Sequence, residues 1–161
     1  MISVGRRARL ALPLVAAMLL SSCSFISDFV VVNESGAPLE VQYAYKERFA
    51  APKCCAMGEL PQRRPARDLG NDERPWTTLR EGEYFYNATA ASVTVVLRPG
   101  EALLVTRLNG YAGPGTGQEE SFTVRSVRLA GASGTIFFEG LQAQAAFKEE
   151  ERQSLYAIRY R

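Results

Sequence analysis

The most constraining pattern in this 161-residue chain lies at residues 39–45, where Leu39, Val41, Tyr43 and Tyr45 alternate with Glu40, Gln42 and Ala44. A period of two sends one set of side chains to a buried face and the other towards water, as a half-buried β-strand requires. Other β-branched and aromatic runs recur at residues 29–32, 84–87, 93–97, 103–107, 122–129, 135–138 and 156–160, most of them separated by Gly- or Pro-containing connections. No stretch of comparable length keeps a helical period, so the pattern predicts an all-β fold. The expected architecture is a small β-sandwich or partly open barrel of about seven strands.

Local details sharpen this expectation. Gly36 and Pro38 make residues 33–38 a turn, so the runs on either side read as an opening strand pair. Pro99-Gly100 suits the centre of a type II turn, whose second central residue needs a positive φ. The apolar phase slips between Val124 and Val127, as it would if a β-bulge near Arg125-Ser126 added one residue. Residues 135–138 read as a buried strand, residues 141–148 as a short helix, and Tyr156, Ile158 and Tyr160 as one face of a closing strand. Between residues 48 and 76 the pattern stops, and four of the eight prolines fall there. Proline interrupts both helices and ladders, so this segment is expected to be one long loop.

The N-terminus has a different character. Arg6, Arg7 and Arg9 precede an apolar run of eleven residues at 10–20, which is followed by Ser21, Ser22 and Cys23. A basic segment, a short apolar segment and small residues describe a secretory signal, and the apolar run falls short of the roughly twenty residues of a membrane-spanning helix. Leu20-Ser21-Ser22-Cys23 resembles the lipobox of bacterial lipoproteins, in which the cysteine becomes the lipidated first residue of the mature chain. The resemblance implies a cleaved signal at residues 1–22, a lipidated tether at 23–28 and a single β domain at 29–161. It also implies attachment to the periplasmic face of a bacterial membrane, and Ser24 after the cysteine favours the outer membrane over the inner.

With residues 1–22 removed, 139 residues remain, enough for one domain with a real core. The three arginines leave with the signal and the formal charge falls from +2 to −1, so basicity implies no nucleic-acid partner. Histidine is absent, which removes Ser-His-Asp and Cys-His catalysis and any histidine-containing zinc site. The carboxylate pairs Glu81/Glu83 and Asp72/Glu73 leave room for a hydrolase, although adjacent acids in polar loops are usually solvated charge. The seven tyrosines could line a groove but equally suit half-buried strands.

Cys54 and Cys55, with Met57 close by, carry the sharpest chemistry of the mature domain. Thiolates and a thioether suit Cu(I), and adjacent cysteines in an exported protein could instead form a disulfide. Two or three ligands from one stretch do not define a metal site, so no cofactor is expected beyond the lipid on Cys23, and a copper(I)-binding or thiol-redox protein using Cys54, Cys55 and Met57 is the alternative function. The composition favours a non-catalytic binding or adaptor module with an envelope-protein partner. Trp and Arg are enriched at interface hot spots, and loops on rigid scaffolds commonly bind. Arg63, Arg64, Arg67 and Trp76, within the 48–76 segment, are the expected contacts.

Overall fold

The computed structural model describes residues 26–49, 60–71, 73–111, 120–151 and 154–161. Among the described residues there are eleven strands: β1 (Ile26–Asn33), β2 (Leu39–Tyr45), β3 (Gln62–Pro65), β4 (Thr77–Thr78), β5 (Tyr84–Asn87), β6 (Ser92–Leu97), β7 (Glu101–Asn109), β8 (Val124–Gly131), β9 (Gly134–Glu139), β10 (Lys148–Glu149) and β11 (Leu155–Tyr160), with one short α-helix, α1 (Leu141–Ala146). They form a six-stranded sheet in the order β10-β11-β1-β7-β3-β4 and a five-stranded sheet in the order β5-β6-β2-β8-β9. The sheets pack as a sandwich and no barrel closes. The all-β expectation holds. The strand number rises because β3, β4 and β10 are short and carry no apolar alternation.

β1 and β2 do not pair with each other. β1 lies between β11, in parallel, and β7, whereas β2 lies between β6 and β8 in the opposite sheet. The opening hairpin is therefore an arch across one end of the sandwich, held by Asn33. Its buried side-chain amide donates to the carbonyls of Ala37 at 2.8 Å and Leu97 at 3.1 Å, while its Oδ1 accepts the Ser35 amide at 3.1 Å. The Asn33 carbonyl takes the Gly100 amide at 2.8 Å, so the crossings from β1 to β2 and from β6 to β7 are tied to one residue. Asn33→Ala removes the side-chain bonds to Ala37, Leu97 and Ser35 together. A hydrogen bond contributes about 0.5–1.5 kcal/mol net, so urea unfolding should show a loss of about 1–3 kcal/mol.

The turn at Arg98–Glu101 joins the two sheets, with Glu101 N–H donating to the Arg98 carbonyl and Gly100 at φ +77°. The phase slip in β8 is taken up where Ala44 faces Ser126 and Tyr45 faces Val124, leaving Arg125 as the additional residue. Gly131 is obligatory for a different reason: a Cβ there would lie 2.8 Å from the ring of Tyr160, whose hydroxyl donates to Gly134.

The core lies between the sheets. Phe29 is at its aromatic centre, with ring centroids 5.1 Å from Tyr111 and Phe122, 5.5 Å from Phe147 and 4.9 Å from a stacked Tyr156. A second cluster covers the outer face of the six-stranded sheet, where Ala66, Leu69, Trp76 and Leu155 pack on Val30, Val32, Ala102, Leu104 and Ala157. Part of the expected 48–76 loop is therefore built into the fold: β3 pairs with β7, and a 3-10 turn at Ala66–Asp68 follows it. The expected buried strand at 135–138 also needs correcting. β9 is exposed along nearly all its length because it is the last strand of its sheet, a position that its apolar composition does not reveal.

Candidate binding surfaces

The four residues expected to contact a partner have different environments. Arg64 is buried, with its guanidinium carbon 4.2 Å from the Trp76 ring centroid and Nη1 donating to the carbonyls of Asn71 at 3.2 Å and Arg74 at 2.9 Å. Arg74 closes the loop by donating to both oxygens of Asp68, at 3.1 and 3.2 Å. These contacts hold residues 66–71 and 73–76 against the six-stranded sheet. Arg63 forms an ion pair with Glu83 at 2.5 Å, and its Nε is 4.0 Å from Glu101. Arg67 is exposed beside Pro65, Pro99 and Glu101. Arg64 and Trp76 thus form one packed unit, with Arg63 and Arg67 on its margins.

Several of the described carboxylates pair with arginines. Asp28 pairs with Arg107 at 2.6 Å, Glu40 with Arg128 at 2.8 Å, and Glu34 with both Arg159 and Arg161. The two arginines pull Glu34 below its usual range, Arg161 more strongly. The Arg80 amide, followed by Arg63, does the same to Glu83. A general acid needs the opposite shift, so the electrostatics at Glu83 do not favour the hydrolase reading. Glu81 and Glu73 are exposed, and Asp72 lies outside the described residues.

Tyr43, Tyr45, Tyr111, Tyr156 and Tyr160 are buried in the core, while Tyr84 and Tyr86 pack against it, so the tyrosines do not form a groove together. Cys23, Cys54, Cys55 and Met57 lie outside the described residues. Among the described residues, no group of three or more His, Cys, Asp or Glu side chains could hold a metal ion.

Two features remain. One is a cleft of about 340 Å³ at the end of the sandwich where β1 begins, lined by Ile26, Tyr43, Tyr45, Leu60, Val105 and Thr106. Its inner polar group is a Thr106–Thr123 hydroxyl pair at 2.6 Å. The other is the edge of the five-stranded sheet at β9. Ile136 and Phe137, on opposite faces of that strand, are 44% and 56% exposed, and Leu141 at the start of α1 is 69% exposed. Across the outer face, Phe85, Thr94, Gln42, Arg128 and Phe137 stand in one register row. The row places an exposed aromatic ring at each edge, with polar side chains between. On the outer face of the other sheet, by contrast, Ala66, Leu69, Trp76 and Leu155 pack over the apolar side chains. The runs at residues 84–87 and 135–138 signalled strands, but nothing in them marked these positions as edges.

No family model, curated protein or solved structure matches the chain.

Proposed function

We propose that this chain is a bacterial envelope lipoprotein, anchored through lipid on Cys23 at the periplasmic face of the outer membrane, whose β-sandwich captures a partner protein. The observation that carries the binding half is β9, an edge strand of six residues with large apolar side chains exposed on both faces. Proteins that have no use for such an edge blunt it with charge, proline, a bulge or a cover. The other sheet ends in strands of two residues each, β10 and β4.

The anchor and the sandwich are close in the chain. Ile26, the first residue of β1, lies three residues beyond Cys23, a reach of about 10 Å at full extension. The end of the sandwich that carries Ile26 and the cleft therefore faces the membrane, and the arch at Asn33 points away from it. β9 runs along the side, within reach of a partner in the periplasm. Extraction of native envelopes in mild detergent, followed by native electrophoresis, tests this reading. The lipidated chain should migrate in a complex larger than itself, and migration as the chain alone would refute the adaptor role.

A further inference from the structure

We propose that the free edge of β9 receives an extended segment of the partner as a sixth strand of the five-stranded sheet, a proposal that rests on the anchored binding role above. β8 and β9 are joined through Ala132 and Ser133, with Gly131 facing Gly134. A two-residue connection makes that facing pair hydrogen-bonded, and in an antiparallel ladder such pairs recur at every second residue. The Gly140 amide donates to the Arg125 carbonyl at 2.8 Å, which fixes the same phase at the other end. Gly134, Ile136 and Phe138 thus turn their backbone groups towards β8. The N–H and C=O groups of Thr135, Phe137 and Glu139 point outwards.

These three residues form a recognition template. Backbone pairing supplies affinity in strand addition, and alternate side chains supply selectivity. The outer face offers Phe137, and the opposite face offers Ile136 and Phe138, so the incoming segment needs apolar residues on both faces. Glu139 is the only charge on β9 and calls for a basic residue opposite it. No proline or lysine guards the strand. A second copy is a poorer fit. Antiparallel pairing of two β9 strands would place Phe137 against its equivalent, but it would turn the second anchor-bearing end to point away from the first. Two copies upright on one membrane could not pair in this way, which favours a partner's segment.

The test uses the full mature chain in detergent micelles and a ten-residue probe peptide of alternating valine and leucine with one terminal lysine. Amide exchange is read by NMR. With saturating peptide, the Thr135, Phe137 and Glu139 amides should slow at least tenfold, while those of Ile136 and Phe138, already bonded to β8, should change little. The same peptide with proline at alternate positions should have no effect. Thr135→Pro removes one outward N–H without touching the β8 ladder, so it should weaken peptide binding at least tenfold and leave the urea midpoint in place. Unslowed amides at millimolar peptide would overturn the proposal, as would slowing that depends on chain concentration without peptide and reveals a second copy. The purified chain needs no envelope partner here, so failure of strand addition is distinguishable from failure of the anchored adaptor role.

Discussion

Cys23→Ser is expected to move the chain from the membrane fraction to the soluble one and to abolish incorporation of labelled palmitate. Each buried methylene contributes about 0.8 kcal/mol to membrane binding, and stable anchoring takes more than one acyl chain. Several chains on one cysteine would therefore hold the domain essentially permanently, and serine would remove all of them together. Among the described residues, no helix is long and apolar enough to span a bilayer. Ile26, Leu60 and Leu141 are exposed apolar residues, but three side chains do not replace acyl chains. A variant that remained fully in the membrane fraction, or a parent chain that took up no label, would contradict the anchored reading.

Phe29→Ala should be the most damaging single change in the domain. Phe29 is fully buried and touches four aromatic rings contributed by β11 and by the chain outside the strands. Truncation of a buried Phe costs about 3–5 kcal/mol, against total stabilities of about 5–15 kcal/mol for a domain. Urea unfolding should show a shift of that order, and for a marginal domain the variant should be largely unfolded. Phe137→Ala removes a ring of the same size from the surface and should shift stability by less than about 0.5 kcal/mol. The contrast separates a core aromatic from one left available for binding.

The physical signals that were legible in the sequence are local ones. Period-two alternation placed β2, the phase slip located the extra residue at Arg125, and Tyr156, Ile158 and Tyr160 correctly marked the inner face of β11. The separation of β1 from β2 was also encoded, though less visibly. Residues 29–32 are apolar on both faces, as a strand covered on both sides requires, whereas residues 39–45 alternate. Two such strands belong in different surroundings. The short connection at 33–38 masked this, because an arch and a hairpin draw on the same turn residues.

Other features depend on long-range pairing and had no local signature. β3 reads Gln-Arg-Arg-Pro and becomes a strand only because β7 offers it an edge. Arg64 resembled a surface contact until Trp76 and two backbone carbonyls surrounded it. The exposure of β9 follows from strand order, which its apolar composition cannot convey: Thr-Ile-Phe-Phe suits a buried strand and a binding edge equally well. The candidate site was therefore the least legible part of the chain.

Site-specific photocrosslinking in intact native envelopes tests the central claim most directly, with a photoreactive side chain placed at position 137 on the binding edge or at position 85 on the opposite edge of the same sheet. The account predicts one discrete adduct from position 137 of the lipidated chain, lost when Thr135→Pro is added and absent from position 85. Equal adducts from both positions, or none from position 137, would contradict it.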